Sequence, residues 1–276
     1  MKLLNNESYE KLIGPLKQVT INNQFARSVV EKHITGKVYV DNTEHPTTFY
    51  VVHPYGMSLL FGDTGNQEFN RQFREYSLNL NKTRDRYEWM QAYPSEWHQV
   101  LEELWDGHLV KSAENLPDKE TGIIELNTRV NFKFNREKYL SVRPRELPQG
   151  TRMARTDKTI FTAMKGSVIP GYFWDNADDF IQNGVGFSLF YEEQLATTAY
   201  SAFIHDDKLE LGIETVSDYR GKGFAFLTCA ALIDYCLAHQ YEPLWACKLE
   251  NTDSFALAQK LGFEPSVQIP YYRLSK

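Results

Sequence analysis

The residues best suited to bind an anion lie together at positions 220–225, which read Arg-Gly-Lys-Gly-Phe-Ala. They follow a predicted strand at 209–216 and open an apolar segment at 224–239 that we predict to be a helix. The first N–H groups of a helix lack intrahelical acceptors and carry partial positive charge, and glycines allow a diphosphate to approach them. Taken alone, the pattern is more typical of an ordinary glycine-containing loop before a helix. A diphosphate site is the alternative.

Two well-known phosphate-binding motifs fit these residues poorly. A P-loop needs Ser or Thr after its Gly-Lys pair, but Lys222 is followed by Gly223. A dinucleotide-binding fingerprint needs a third small residue where Phe226 stands, and an acid about 20 residues later, near the apolar Leu244. The loop therefore needs a different interpretation.

Two segments after the loop supply one. A predicted buried strand at 244–248 reads Leu-Trp-Ala-Cys-Lys, and Asn251 precedes residues 257–263, which read Leu-Ala-Gln-Lys-Leu-Gly-Phe. Loop, strand, asparagine and Leu-Gly-Phe in this order resemble the acyl-CoA-binding region of the GNAT N-acetyltransferase superfamily. The resemblance covers residues 151–276, and 178–184 with the following strand pair resembles a two-part bacterial subfamily of these enzymes.

The resemblance implies an enzyme that moves acetyl from acetyl-CoA, its co-substrate, to a primary amine of a small molecule by direct attack in a ternary complex. In this superfamily two neighbouring parallel strands splay apart, and the pantetheine arm pairs with the first strand like an added strand. Here those strands would be 209–216 and 244–248. The cofactor-binding residues implied are Thr215, Val216, Arg220, Gly221, Lys222, Gly223, Phe224, Ala225, Asn251 and Ser254. For Asn251 the alternative is a structural role at a helix start.

The proposed chemistry needs a base, because a protonated amine has no lone pair with which to attack a thioester. Glu214 is the candidate catalytic base, since an acid on the equivalent strand often acts through water in this superfamily. The alternative for Glu214 is a solvent-facing residue or an ion-pair partner. A backbone N–H within 213–216 is the candidate donor to the developing oxyanion.

The departing thiolate raises a second question. Family members often protonate it with a tyrosine seven residues after the asparagine, but Ala258 occupies that position here. Tyr271 and Tyr272 are alternative acids, each equally suited to packing, and water or no acid also remains open. The missing tyrosine keeps a non-catalytic CoA or acyl-CoA-binding sensor as an alternative function. A transferase module that depends on an acyl carrier is a further one.

The element pattern predicts an α/β protein of the α+β type, with a mixed antiparallel and parallel sheet flanked by helices, and the resemblance implies that this sheet is GNAT-like. We expect residues 135–276 to form the acetyltransferase domain and residues 1–134 a smaller α/β domain. The helix, three strands and helix predicted in this first part suggest a degenerate copy of the same fold. A cluster of Pro144, Pro148 and Gly150 marks the boundary region.

Composition excludes several classes of protein. With 30 Lys and Arg against 36 Asp and Glu, the formal net charge of −6 argues against a nucleic-acid partner and permits a cationic substrate. The three cysteines lack metal-ligand spacing, so we expect buried thiols and no metal. No apolar run reaches the roughly 18 residues of a membrane helix, and the first residues turn polar too early for a signal peptide. We therefore expect a cytoplasmic protein without a membrane partner.

Three aspartates supply a weaker indication about the substrate. Asp175, Asp178 and Asp179 have the spacing of one helical face. Such a trio could attract an amine, but it is more typical of a solvated face or of acids that complement a helix N-terminus.

Overall fold

The computed structural model describes residues 1–111 and 122–276, and these form two compact units. The first unit comprises Met1–Val130, Lys248–Glu250 and Val267–Lys276, and the second comprises Asn131–Cys247 and Asn251–Ser266. The last ten residues thus pack with the first unit. The predicted assignment of 1–134 and 135–276 to two functional domains stays a prediction.

The described chain contains strands and helices in alternation, with short 3-10 helices at Asn6–Leu12, Pro170–Tyr172 and Ser217–Tyr219. The strands are β1 (Lys2–Leu3), β2 (Lys37–Val40), β3 (Thr48–Val52), β4 (Met57–Gly62), β5 (Glu88–Tyr93), β6 (Leu109–Lys111), β7 (Ile124–Phe134), β8 (Thr151–Arg155), β9 (Gly186–Tyr191), β10 (Gln194–His205), β11 (Lys208–Thr215), β12 (Glu242–Lys248) and β13 (Phe263–Leu274). The α-helices are α1 (Ile13–Lys17), α2 (Gln24–Val30), α3 (Gln67–Ser77), α4 (Trp97–Leu104), α5 (Arg136–Val142), α6 (Lys158–Ala163), α7 (Ala177–Asn183), α8 (Phe224–Ala238) and α9 (Thr252–Lys260).

The sheet of the second unit has the strand order β12-β11-β10-β9-β8. Strands β8 to β11 pair antiparallel, each with the next, whereas β12 pairs parallel with β11. Helix α8 connects the two parallel strands, as a parallel pair requires. It packs against β9, β10 and β11. The predicted mixed sheet flanked by helices is confirmed.

The sheet of the first unit follows a similar plan. Strands β1 to β4 pair antiparallel in chain order, and β5 pairs parallel with β4 after the crossover helix α3. The last residues of β13 then pair antiparallel with β5. The core on the α3 and α4 side is largely aromatic, with Phe73, Trp97 and Trp105 fully buried. Each ring of this kind buries about 150–250 Å² of surface, so a few of them supply a large part of the core.

Helix α8 carries apolar residues on nearly all sides, and it packs against β9, β10, β11 and α9. Its cysteines, Cys229 and Cys236, are fully buried thiols, and Cys247 on β12 is also buried; none of the three forms a disulfide. Burial raises the pKa of Cys229 strongly and that of Cys236 to about 12. Thiols of this kind are packing residues, in agreement with their interpretation from the sequence.

The predicted elements around the loop are close to those observed. The helix predicted at 224–239 is α8, Phe224–Ala238, and the strand predicted at 244–248 is β12, which starts two residues earlier. The strand predicted at 209–216 is β11, which ends at Thr215, so that Val216 lies beyond the strand.

The prediction that Asp175, Asp178 and Asp179 share one helical face is wrong for Asp175. Helix α7 starts after Asn176, whose side chain accepts a hydrogen bond from the N–H of Asp179, so Asp175 precedes the helix. Asp178 forms an ion pair with Lys158, and Asp179 accepts a hydrogen bond from Asn183 at 2.7 Å. Acids in the first turn of a helix complement its dipole, which is the alternative that the sequence left open.

Across the described residues, no helix combines the length and the apolar character that crossing a bilayer requires.

Candidate active site

Strands β11 and β12 pair over a short parallel ladder and then separate. The ladder has three residue pairs and ends at Glu210 and Leu244, although β11 continues to Thr215 and β12 to Lys248. On its other side β11 stays paired with β10 to the end, where Thr215 lies opposite Thr197. The last part of β11 therefore borders a gap between two parallel strands. We refer to this opening as the β11–β12 gap.

The backbone groups that face the gap follow from the alternation of a strand. The Val216 N–H donates to the Ala196 carbonyl on the β10 side, and the Val216 carbonyl accepts from the Tyr219 N–H. Since successive residues point their backbone groups to opposite edges, Ile213 and Thr215 direct theirs toward the gap. Thr215 thus lies where the sequence predicts it. The Val216 N–H and carbonyl thus both have partners within the chain, and its side chain is exposed.

Ile213 directs its backbone groups toward the gap as Thr215 does, and the sequence analysis did not single it out for the cofactor. The signal is its place in the alternation of β11, two residues before Thr215, which gives both residues the same backbone direction. That direction becomes known only once the β10–β11 pairing, with Ile213 opposite Ala199, shows which edge of β11 is already paired.

The loop between β11 and α8 is open to a ligand. Gly221 and Gly223 have φ angles of +76° and +79°, and a Cβ added at either would meet no atom within 4 Å. Gly223 occupies the N-cap position of α8, so no side chain caps the helix. Among the described residues, none accepts a hydrogen bond from the backbone N–H groups of 221–225. Consecutive unpaired amides at the start of a 15-residue helix form an anion-binding surface.

The two predicted cations of the loop point in different directions. The Lys222 ammonium lies over two tyrosine rings, 5.1 Å from the centroid of Tyr219 and 5.6 Å from that of Tyr191. The Arg220 guanidinium turns back toward β11, where its Nε donates to the Thr215 carbonyl at 3.3 Å. Lys222 therefore remains beside the loop as the sequence suggests, whereas Arg220 lies at the mouth of the gap.

Glu214 lies next to Thr215 and is 9% exposed. Its Oε2 accepts hydrogen bonds from the backbone N–H groups of Ser167 and Val168, at 2.9 and 2.8 Å, and its Oε1 lies 3.6 Å from an Arg220 nitrogen. The ion pair that the sequence left as an alternative is thus present. Of the two carboxylate oxygens, Oε2 is committed to the chain and Oε1 faces a cation.

The segment that bonds to Glu214 passes unusually close to it. A Cβ at Gly166 would lie 2.5 Å from the carboxyl carbon of Glu214, and Gly166 has a φ of +152°. Only glycine permits this approach. Residues 166–168 were missed by the sequence analysis, because they precede Glu214 by more than 40 residues and carry no recognisable motif.

Asn251 and Ser254 both make structural hydrogen bonds. The Asn251 side chain caps α9 by accepting from the Ser254 N–H at 3.2 Å, and the Ser254 hydroxyl accepts from the Trp245 indole at 3.2 Å. The structural role that was the alternative for Asn251 is therefore observed, and a cofactor contact by either residue stays a prediction. Ala258, in the place of the family tyrosine, is fully buried on α9.

The two tyrosines considered as substitutes are packed in the first unit. The Tyr272 hydroxyl hydrogen bonds to Nδ1 of His98 at 3.1 Å, and burial raises the pKa of Tyr272, which makes it a weaker acid. The Tyr271 ring stacks on Trp89 with centroids 5.2 Å apart. These contacts are those of packing residues.

Comparison with known proteins agrees with this geometry. The sequence model of the GNAT acetyltransferase family matches residues 15–272. The Bacillus subtilis (strain 168) protein YdfB, described as an uncharacterized N-acetyltransferase, is 26% identical over 251 residues, which are 90% of this chain and 89% of that protein.

Two solved structures share the fold. A GCN5-related N-acetyltransferase-like protein from Streptococcus suis 89/1591 is similar with a TM-score of 0.70 and 18% identity, over 96% of this chain and 98% of that one. A tandem GNAT protein from the clavulanic acid biosynthesis pathway has a TM-score of 0.63 and 11% identity, over 99% and 97% of the two chains. The family match over nearly the whole length shows that this chain belongs to the GNAT acetyltransferase family.

Proposed function

We propose that this acetyltransferase moves acetyl from acetyl-CoA to a primary amine of a small molecule by direct attack within a ternary complex. The observation that carries the proposal is the pairing of two features in one unit. An uncapped helix N-terminus with unpaired amides at 221–225 stands at the end of a strand whose free edge borders a gap. A diphosphate and an extended pantetheine arm require these two features.

The residues fit coenzyme A because the surfaces that it would occupy are unfilled. The amides of 221–225 would bind the diphosphate, with Lys222 as the adjacent cation. Ile213 and Thr215 would pair with the amide groups of pantetheine along the free edge of β11. Asn251 and Ser254 remain candidates for contacts to the arm from the side of α9. Bound in this way, acetyl-CoA supplies a thioester whose carbonyl an amine can attack.

Glu214 is the proposed base. Its Oε1 is the oxygen that is not tied to residues 167 and 168, so we assign the proton transfer to this atom, through a water molecule. Arg220, 3.6 Å from Oε1, keeps the carboxylate oriented toward the mouth of the gap. A backbone N–H of Ile213 or Thr215 is the proposed donor to the oxyanion, since both face the gap.

The thiolate leaves without a tyrosine in this proposal. Ala258 offers no proton, and Tyr271 and Tyr272 are engaged in packing. A thiol is more acidic than an alcohol or amine, so its anion departs without an obligatory side-chain acid. Water supplies the proton afterwards.

We propose that the first unit is a degenerate copy that binds no coenzyme A. Its parallel strands β4 and β5 stay paired over five residues, to Phe61 opposite Tyr93, so the equivalent gap is closed. Its crossover helix α3 is capped by Asn66, whose side chain accepts from the Phe69 N–H at 3.0 Å. A capped helix with Glu68 in its first turn does not attract a diphosphate.

A screen of primary amines with acetyl-CoA tests the activity directly. Free thiol is followed over time, and the Gly223→Asp variant is assayed in parallel to exclude a contaminating enzyme. Turnover on at least one amine, absent in the variant, is the expected result. Binding of acetyl-CoA without turnover on any amine would replace the proposal by a sensor, and transfer only from carrier-bound thioesters would replace it by a carrier-dependent module.

A further inference from the structure

A lysine lies over two tyrosine rings beside the loop between β11 and α8. The Lys222 ammonium is 5.1 Å from the ring centroid of Tyr219 and 5.6 Å from that of Tyr191. The two rings are 6.1 Å apart between centroids and inclined at 66°, so the ammonium contacts both of them. All three residues belong to the second unit. We call Tyr191, Tyr219 and Lys222 the lysine–tyrosine group.

The rings of this group are fixed by the first residue of α8. The ring of Phe224 is buried, and its centroid lies 5.4 Å from that of Tyr191 and 6.3 Å from that of Tyr219. Phe224 in turn packs in a buried cluster with Leu189 and Ala196. The lysine–tyrosine group is therefore held by the same helical turn that presents the unpaired amides.

The polar atoms of the group are available to a ligand. Lys222 is exposed, and within 1–111 and 122–276 no carboxylate forms an ion pair with it. The rings orient the ammonium but do not neutralise its charge. Both tyrosines are half-buried, and neither hydroxyl hydrogen bonds to another of the described residues. A cation and two hydroxyl donors thus meet at one accessible place.

The group lies on the side of the loop that is opposite to the β11–β12 gap. The strand order of this unit is β12-β11-β10-β9-β8, and the gap borders the β12 edge of β11. Tyr191 is the last residue of β9, which lies beyond the other edge of β11. The unpaired amides of 221–225 are thus flanked by the gap on one side and by the lysine–tyrosine group on the other.

We propose that the lysine–tyrosine group binds the 3′-phosphate of coenzyme A and so selects thioester donors that carry this phosphate. The inference rests on the proposed coenzyme A site and adds the donor class. With the pantetheine arm in the gap and the diphosphate on the amides, the nucleotide end extends to the opposite side, where Lys222 is directed. The ammonium gives the phosphate a charge-assisted hydrogen bond, and the tyrosine hydroxyls can donate to the same oxygens.

The inference has a consequence for the choice of donor. A thioester on the phosphopantetheine arm of an acyl carrier has no nucleotide and therefore no 3′-phosphate. Such a donor leaves the Lys222 ammonium without its anion, so we expect it to bind less tightly than acetyl-CoA.

The test compares coenzyme A with 3′-dephospho-coenzyme A, two ligands that differ only in this phosphate. The Kd of each is measured by calorimetry with the full chain, which requires no acceptor amine and no turnover. We expect the wild type to bind coenzyme A about tenfold more tightly, the effect of one charge-assisted hydrogen bond.

Variants of Lys222 assign the preference to its side chain. Lys222→Met removes the charge and keeps most of the apolar stem, so coenzyme A should lose about tenfold more affinity than 3′-dephospho-coenzyme A. The two ligands should then bind alike. Lys222→Arg keeps the charge and should keep the preference. Lys260→Met, at an exposed lysine near the end of α9, is the matched control and should also keep it.

Two results would overturn the inference and leave the proposed coenzyme A site in place. One is equal affinity of the wild type for the two ligands. The other is an equal loss of affinity for both ligands in Lys222→Met, which would assign Lys222 to the diphosphate alone. If the wild type binds neither ligand, the proposed coenzyme A site is wrong, and this inference falls with it.

Discussion

At the scale of a single residue, Glu214 combines an observed structural role with the proposed role of a base. Its Oε2 fastens residues 167 and 168 to β11, and its Oε1 is directed to Arg220 at the mouth of the gap. A carboxylate with both kinds of contact has a fixed orientation, which a proton acceptor needs in order to act at a defined point. The same contacts make Glu214 a structural anchor, so a substitution must separate the two roles.

Glu214→Gln makes this separation. The amide oxygen of glutamine still accepts from the N–H groups of Ser167 and Val168, but glutamine cannot take a proton. We expect kcat to fall about 100-fold or more near neutral pH, the usual contribution of a general base. The deficit should shrink at high pH, where the amine loses its proton without help. Thermal unfolding should stay near that of the wild type.

Two further variants complete the test of Glu214. Glu214→Ala loses the anchor as well and should also lower the melting temperature, whereas Glu10→Gln, at an exposed glutamate, should change neither quantity. A pH–rate profile of Glu214→Gln identical to that of the wild type would remove Glu214 from the mechanism.

Residues whose backbone conformation matters, such as glycines, were predictable from the sequence. Residues that depend on hydrogen bonds to segments far away in the chain were not. Gly221 and Gly223 indicate an open loop, because glycine alone adopts a positive φ angle at little cost in free energy. The bonds from Ser167 and Val168 to Glu214 join positions nearly 50 residues apart in the chain. The burial of three polar side chains on β7, those of Glu125, Asn127 and Arg129, likewise becomes visible only in the fold.

At the scale of elements, the site depends on how β11, the loop and α8 meet. The helix begins without a cap because Gly223 stands at its N-cap position, and the strand before it ends with one edge unpaired. Each element alone is ordinary. Their direct succession puts free amides and a free strand edge within one short stretch of chain.

The Gly223→Asp substitution tests whether the loop and the uncapped start of α8 bind the diphosphate of coenzyme A. A carboxylate at the helix N-cap accepts hydrogen bonds from the amides that would otherwise bind the diphosphate, and its negative charge repels the diphosphate. We expect the affinity for coenzyme A, measured by calorimetry, to fall on the order of 100-fold or more, since several charge-assisted hydrogen bonds are lost together.

The matched control for this test is Gly107→Asp. Gly107 has a φ of +74° and nothing within 4 Å of a Cβ, so the substitution introduces a similar backbone strain of about 1 kcal/mol in the first unit. Its affinity for coenzyme A should equal that of the wild type. Equal affinities for the Gly223→Asp variant and the wild type would refute the loop assignment.

The element boundaries around the site were predictable to within two residues, since apolar periodicity and glycines mark them. The role of each strand edge was not. Val216 was expected to offer backbone groups to pantetheine, yet β11 ends one residue before it and its N–H turns to Ala196. Edge assignment requires the register between strands, which a single sequence does not contain.

At the scale of the whole molecule, the two units share an element order and differ in the two features on which the proposed coenzyme A site depends. In the second unit the parallel ladder ends after three pairs and the crossover helix is uncapped, whereas in the first the ladder has five pairs and the helix is capped by Asn66. The sequence suggested the repeated plan. It did not indicate that residues 267–276 return to the first unit, since pairing between segments far apart in the chain leaves no local pattern.

A crystal structure of the chain with coenzyme A tests the central claim most directly. We predict one molecule per chain, with its diphosphate on the amides of 221–225 and its pantetheine arm beside Ile213 and Thr215 in the β11–β12 gap. Nucleotide bound at the start of α3, or at any other place with the gap left empty, would contradict the account.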